Sequence, residues 1–412
     1  AYLPNGLQVG TDIARYDTAR IVRGVLIEEG TENLLNNGDC ESDVPSLNNT
    51  ITYIGCNGTL DNTQKHSGFK SLKVLNEGIS DIYVQLGGLG SLNGLTAGKT
   101  YTFSAWVYIP SGLNIELNTI KLVAYDYTGT YRQISGWPAT KYDQWQRLSV
   151  TITIQSNATR AFFRLYHDEQ IADAPIYWDD IQLEEKAYPT SFVRTIRSRE
   201  VLTIPTAGIF QKDNWTVELT YTPKALVNDN TRRVLWGVFI DANNYYSIVK
   251  ETTGEIFGIV ISNGVSYTIY DSTPLVKDIP TSIMFCGDGA KISLYKDGLQ
   301  IGDSISYIEP LGDLPPIQTI GVSQSFYSQC NGIIDELRIS KVARTLEEHQ
   351  AYYNSQKGFT DIVPIIRPGQ MVNGFMVTPD RGAVCYHSDG SFSQQSWNGF
   401  RRYNAGEGKD YH

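Results

Sequence analysis

The sequence predicts an all-β protein built from two consecutive antiparallel β-sandwiches, with short extensions at each end. Three observations predict it. The 412 residues include 26 Tyr and 37 Gly; Tyr suits a half-buried pleated surface and Gly suits tight turns. Apolar and polar residues alternate in runs about strand length, separated by turn signals at short, regular spacing. Asn263-Gly264 and Asp297-Gly298 each sit between β-rich runs, and both dipeptides accept the positive φ angles that a two-residue hairpin needs. At about 150 residues per domain the chain has room for two or three domains. Its 41% hydrophobic and 19% charged residues supply real cores and argue against long disorder.

Residues 1–30 carry few core signals, with one short strand expected over 22–28, and read as a connecting segment. The first module spans 31–190. Gly68 to Val74 and Asp81 to Leu86 have strand character, and Ala97-Gly98-Lys99 turns the chain into a nine-residue run of β-formers, Tyr101 to Ile109, closed by Pro110 and Gly112. Further strands are expected at 119–127, 145–154, 160–167 and 176–184. The second module spans 191–357. Trp215, Val217, Leu219 and Tyr221 alternate with polar residues, as in a half-buried strand. Ile333 to Ile339 closes it. Thr345 then starts a short helix as N-cap, with Glu348 three residues on completing a capping box. Residues 358–412 are a tail with strands expected at 371–377 and 382–387, too small for a core of its own.

Several function classes are disfavoured. The net charge is −10, and a nucleic-acid binder needs a basic stripe. The densest basic cluster, Arg194, Arg197 and Arg199, sits at the module boundary and reads as a solvated linker. No apolar run approaches the roughly 20 residues that span a bilayer, and the residues from Ala1 onward show no signal-peptide pattern. The five cysteines, Cys40, Cys56, Cys286, Cys330 and Cys385, form no CxxC pair, which disfavours zinc ribbons. Cys40 and Cys56 are open to two readings, a disulfide or two buried thiols. No nucleophile elbow, P-loop or HExxH is present, and no organic cofactor is expected. Asp179-Asp180, Glu184-Glu185 and Asp335-Glu336 are adjacent pairs, so in regular strands their side chains take opposite faces. A glycosidase wants two carboxylates roughly 5–10 Å apart across the scissile bond. The sequence therefore predicts no enzyme.

Three resemblances give these modules an expected function. Asn33 to Ser42, then Gly68, Ser71, Leu72 and Val74, Gly98 to Trp106, Trp145 to Leu148, and Tyr177 to Leu183 follow in an order and spacing that resembles the carbohydrate-binding modules of families 4, 9 and 22. The resemblance implies a jelly roll with a structural Ca²⁺ between its N- and C-terminal strands, at positions matched by Glu41 and Asp180. Cys40 departs from the aromatic usual there. Trp215 to Leu219, Leu294 to Gly298, Gly332 to Ser340 and Ala343 to Thr345 are similar to a concanavalin A-like, laminin G-type sandwich. Ala14 to Asp17, Arg23 to Glu28 and Thr31 to Leu35 look like a segment of bacteriophage tail and fibre proteins. Together these imply a non-enzymatic virion protein of a tail, fibre or surface decoration. It would sit on the virion surface, assemble as a homo-oligomer such as a trimer with other virion proteins, and bind host-surface polysaccharide. One alternative is a purely structural spacer. The other is an accessory carbohydrate-binding region of a secreted glycan-degrading enzyme, secreted or at the cell surface.

Sugars stack on aromatic rings while polar groups at the rim take the hydroxyls. Trp106 and Tyr108 share one strand face, as do Tyr125 and Tyr127, and Arg164 and Tyr166. If those faces coincide they form an aromatic groove; for Trp106 the favoured reading is instead a place in a two-faced core. Trp137, beside Pro138, is a separate exposed candidate. Trp145 and Trp178 read as core; Trp236, Tyr245 and Tyr246 are open to lining a surface, with core packing the favoured reading.

Overall fold

The computed structural model describes residues 24–78, 82–113, 115–167, 172–225, 230–325 and 328–361, with backbone alone from 355. It also describes the backbone of short strands at 16–17 and between 371 and 411. Residues 1–15 and 18–23 of the expected connecting segment lie outside the described residues, as does the side chain of Cys385.

The first sandwich has ten strands: β1 (Ile51–Ile54), β2 (Cys56–Asp61), β3 (Ser71–Asn76), β4 (Ile82–Leu86), β5 (Thr100–Tyr108), β6 (Ile120–Tyr127), β7 (Tyr131–Ser135), β8 (Gln146–Thr153), β9 (Arg160–His167) and β10 (Pro175–Glu184). Sheet A runs β8-β5-β10-β3-β2 and sheet B runs β7-β6-β9-β4-β1. Strand parity settles what lies between them. Phe103, Ala105, Val107 and Ile109 face inward from β5, Leu122 and Ala124 from β6, Phe163 and Leu165 from β9, and Ile176 and Trp178 from β10, all fully buried. Each large apolar side chain among them contributes about 1.5–3 kcal/mol through burial.

Alternation breaks at one point with consequences for the site. β5 and β10 shift register between Ser104 and Trp106, where Ala105 of β5 faces both Asp180 and Ile181 of β10. The extra residue falls at Asp180, whose φ is +46°. This β-bulge overturns the expectation that Asp179 and Asp180 face opposite ways: both carboxylates reach the same two residues, His66 and Ser67.

The second sandwich comprises β11 (Leu202–Pro205), β12 (Trp215–Pro223), β13 (Arg233–Asp241), β14 (Asn244–Lys250), β15 (Ile256–Ser262), β16 (Val265–Tyr270), β17 (Thr281–Gly287), β18 (Lys291–Lys296), β19 (Leu299–Ser306), β20 (Ile317–Ile320) and β21 (Gly332–Ser340). One sheet runs β11-β20-β13-β14-β15-β16. In the other, β21 pairs with β12, and β12 with β17. The core stacks Phe210, Trp215, Trp236, Tyr246 and Phe285. Asn263 and Gly264, at φ +48° and +79°, make the hairpin turn their dipeptide implies. β21 carries its own bulge at Glu336, φ +51°.

The short strand expected over 22–28 forms at Gly24–Ile27, and it joins the second sandwich instead of merely connecting. Gly24–Ile27 pairs antiparallel with β21, Val25 opposite Ile334, so the first sandwich is inserted between this strand and the rest of the second. A buried polar seam joins the two. The Glu28 carboxylate accepts from Ser191 N–H at 2.9 Å and faces Arg197 at 3.2 Å. Arg233, 3% exposed, donates to Gln329 C=O at 3.0 Å and to Tyr188 Oη at 3.1 Å. Asn331 bonds Glu29 and Tyr188.

Cys40, Cys56 and Cys330 are free, buried thiols, and Cys286 is buried; this removes the Cys40–Cys56 disulfide reading. Burial pushes the Cys56 thiol up to about 11 and Cys330 to about 12.

Residues 295–300 and 344–412 form a second compact unit. Its helix α1 (Leu346–Asp361) has 16 residues, longer than expected and running past residue 357. The capping box forms: Thr345 N–H donates to Glu348 Oε2 at 2.9 Å, and Glu348 N–H to Thr345 Oγ1 at 3.4 Å. Among the described residues the tail holds six short strands paired in chain order, from Met371–Val372 to Asp410–Tyr411, where two were expected. Among the described residues no helix is long and apolar enough to cross a membrane.

Candidate functional site

The expected groove requires the faces of three strands to coincide. Two of them do. β6 and β9 are neighbours in sheet B, whereas β5 lies in sheet A. Trp106 and Tyr108 therefore stand on the outside of the opposite sheet from Tyr125, Tyr127, Arg164 and Tyr166. The physical reason is the crossover after Pro110, which parity within one strand does not reveal.

On sheet A, the Trp106 ring already has a partner. His66 lies flat on it, centroids 3.8 Å apart and planes 15° apart. Tyr108 packs against Trp145 at 5.7 Å and Tyr177 at 6.2 Å. Trp145, expected in the core, is half-buried on this outer face, because Leu148, Val150 and Ile152 take the inward positions of β8.

Sheet B presents a lattice built by register alone. Directly opposite residues of antiparallel strands share a face, so the outward residues line up in rows across the sheet. Tyr131, Tyr127 and Arg160 form one row; Gln133, Tyr125 and Phe162 the next. Ser135, Val123, Arg164, Gln85 and Thr52 form the third. Lys121, Tyr166, Tyr83 and Ile54 form the fourth. Gly136 N–H bonds Leu122 C=O at 2.9 Å, which carries the β6–β7 pairing up to the residue before Trp137. Trp137 is 89% exposed and Tyr131 48% exposed.

Cations lie over the rings. The Arg164 guanidinium sits 3.7 Å from the Tyr83 centroid and 4.6 Å from that of Tyr125. Arg160 sits 4.5 Å above Tyr127, and Lys121 5.3 Å above Tyr166. Arg164 also donates to Gln85 Oε1 at 3.2 Å and Tyr125 Oη at 3.3 Å, and Tyr125 Oη donates to Gln133 Oε1 at 2.9 Å. Phe162, 1% exposed, is the floor, stacked on Tyr125 at 4.8 Å.

The β6–β7 hairpin is pinned from the inward side. Asp126 takes Arg132 through two N–H groups, at 2.9 and 2.5 Å, and Gln155 N–H at 2.9 Å. Burial works to raise the Asp126 carboxyl, but these hydrogen bonds outweigh it and hold it below the usual carboxylate range. The arrangement fixes Tyr127 and Tyr131 on either side of the turn.

Of the expected residues, Tyr125, Tyr127, Arg164 and Tyr166 come together, and Trp137 is exposed two residues past the end of β7. Lys121, Tyr83, Gln85, Tyr131, Gln133, Arg160 and Phe162 are additional. Arg160 and Phe162 have the same parity as Arg164, and Tyr131 follows the Thr128-Gly129-Thr130 turn from Tyr127, so those signals were in the sequence. Tyr83 and Gln85 needed the sheet order.

Glu41 and Asp180 flank the segment 66–70, and donors from that segment fill them. Glu41 Oε1 accepts Phe69 N–H at 2.6 Å, and Lys70 Nζ donates to Glu41 C=O at 3.1 Å. Asp180 Oδ1 accepts Ser67 Oγ at 2.7 Å, and its Oδ2 lies 2.7 Å from His66 Nδ1. Calcium needs six to eight oxygens turned toward it. Among the described residues no three His, Cys, Asp or Glu side chains converge, and these oxygens are turned to N–H and O–H donors. As they stand, the residues do not fit the ion.

Residues 32–170 match the family model of a carbohydrate binding domain, and residues 198–348 that of the concanavalin A-like lectin/glucanases superfamily. The chain is 30% identical over 175 residues to endo-1,4-beta-xylanase A of Thermotoga neapolitana, and 29% identical over 167 residues to that of Thermotoga maritima. Each alignment covers 40% of this chain and 15% of the xylanase. Among solved structures, domain 4 of an extracellular arabinanase from Geobacillus stearothermophilus is similar at 19% identity and a TM-score of 0.33, covering 37% of this chain and 72% of that one. The carbohydrate-binding module and laminin G-type resemblances thus meet independent matches at the same places. These matches offer nothing for a virion origin.

Proposed function

We propose that the chain is a non-catalytic, glycan-binding region that acts outside the cell as an accessory to a glycan-degrading enzyme. The observation that carries this reading is the outward tyrosine lattice of sheet B, which lies within the residues matched by the carbohydrate binding domain. Tyr127, Tyr131 and Trp137 give apolar faces to sugar rings, and Gln85, Gln133 and the arginines give hydrogen-bond donors and acceptors to hydroxyls. Rigid aromatics suit this task because they bring large contact area and lose little conformational freedom. The xylanase relatives support β-1,4-linked plant polysaccharide as the first substrate class to try. They also favour the accessory reading over virion attachment.

Affinity electrophoresis against xylan, arabinan, mixed-linkage glucan and host-type polysaccharides tests it. Tyr127→Ala and Trp137→Ala are each expected to weaken binding about tenfold, from the loss of roughly 1.4 kcal/mol of stacking. Tyr108→Ala, on the opposite sheet, is expected to leave it unchanged. No retardation in any polysaccharide sinks the proposal, and loss confined to Tyr108→Ala moves the site to sheet A.

A further inference from the structure

We infer that the glycan held by sheet B is anionic: a polysaccharide bearing uronate carboxylates, which meet Arg160, Arg164 and Lys121. This rests on the glycan-binding reading of that face and deepens it.

The charge of the face is opposite to that of the chain. The whole sequence has 44 acidic against 34 basic residues. Yet the outward positions of β1, β4, β6, β7 and β9 hold Arg160, Arg164 and Lys121 and no Asp or Glu. Asp126, the one acid in these strands, belongs to the inward set and is taken by Arg132.

The treatment of arginine elsewhere makes the contrast sharper. Arg132 meets Asp126 at 2.5 Å, Arg232 meets Glu251 at 2.6 Å, Arg338 meets Glu218 at 2.7 Å and Arg194 meets Asp39 at 2.8 Å. Among the described residues, Arg160, Arg164 and Lys121 have no ion-pair partner. Their hydrogen bonds go to neutral oxygens at 3.2–3.3 Å: Arg164 to Gln85 and Tyr125, Arg160 to Tyr131. A guanidinium carries five N–H donors in a fork that matches a carboxylate. Both arginines therefore keep N–H groups to offer, and a carboxylate is a stronger acceptor than either neutral partner. The tyrosine rings beneath hold the cations in place, so little freedom is lost when the anion arrives.

The test pairs each acidic polysaccharide with its carboxyl-reduced form, which keeps the backbone and removes the charge. Glucuronoxylan, polygalacturonate and alginate serve as the acids, with the full chain titrated by calorimetry at about 20 and about 200 mM NaCl, on either side of the range where screening sets in. At least one acid is expected to bind tenfold or more tightly than its reduced form, with an advantage that shrinks in the higher salt. Arg160→Gln and Arg164→Gln are each expected to cut that advantage at least threefold; circular dichroism checks their fold, and Arg160, farther from the Phe162 floor, guards against a packing effect at Arg164. Equal binding of acid and reduced forms, or binding of neutral glycans only, overturns the inference and leaves the glycan reading intact. No binding to any polysaccharide overturns both. Equal affinity for a thymidine oligonucleotide also overturns it, since the face would then read phosphate.

Discussion

At the scale of single residues, the pattern of partners separates structural from functional side chains. His167 is fully buried, and its Nε2 accepts the Trp178 indole N–H at 2.7 Å. Burial lowers its pKa to about 3, because the imidazolium would lose both its solvation and this bond. The sign follows from linkage. The unfolded chain takes the proton near pH 6.5 and the folded chain near 3, so the contribution of His167 is complete above the unfolded value and is lost as pH falls below it. Chemical denaturation between about pH 6.5 and 4.5 should show stability falling by about 1 kcal/mol per pH unit from this group. In His167→Gln, which keeps an acceptor for Trp178, the slope should flatten; an unchanged slope would place the proton elsewhere. Sequence alternation puts His167 inward, on the same parity as Phe163 and Leu165, but nothing in the sequence names Trp178 as its partner. The same limit applies to Trp106. Its parity is outward, yet the His66 ring that covers it comes from a distant segment in another connection.

At the scale of elements, two-residue hairpins were legible and bulges were not. Asn263-Gly264 announces its turn, since few other dipeptides take two positive φ values cheaply. A Cβ at Gly264 meets nothing closer than 3.7 Å, so Gly264→Ala isolates the backbone term: a loss of about 1 kcal/mol is expected in urea denaturation. The bulges at Asp180 and Glu336 occupy strands that alternate well on paper, and a single inserted residue turned Asp179 and Asp180 to one side. Burial, then the neighbouring Asp180 charge, push the Asp179 carboxyl well above the usual carboxylate range. The 66–70 segment answers with two backbone N–H groups on Asp179, at 2.8 and 3.1 Å. Because donors from this segment occupy the positions expected to hold calcium, the melting temperature should be the same in millimolar CaCl₂ and in EDTA. A rise of several degrees with calcium would mean that the segment yields to the ion.

For the whole molecule, a seam of ionic and hydrogen-bonded contacts joins the two sandwiches. Arg233 lies in that seam, between Gln329, Tyr188 and Glu29. Removing one partner of a buried ionic network leaves the others unsatisfied, at about 3–5 kcal/mol. Arg233→Ala is therefore expected to split one calorimetric unfolding transition into two. A single transition lowered as a whole would show that the seam is not what couples them. The two-sandwich architecture was readable because composition, periodicity and turns all agree on it. The insertion of one sandwich within the other was not, because Gly24–Ile27 is four residues long and its partner strand lies at the far end of the second module.

That four-residue strand sets a schedule for synthesis. Glu29, just beyond it, bonds Asn331, 302 residues later. At about 5–20 residues per second, Val25, Leu26 and Ile27 leave the ribosome roughly 15–60 s before their own partner, β21, can close over them. The inserted sandwich has all its strands in hand long before then and can fold first. Its finished ends, held side by side by the Thr31–Glu32 and Ile196–Arg197 pairing, then deliver the waiting strand to the edge it must join. In the nested order of the chain, completion of the second sandwich waits on residues made long after the whole of the first.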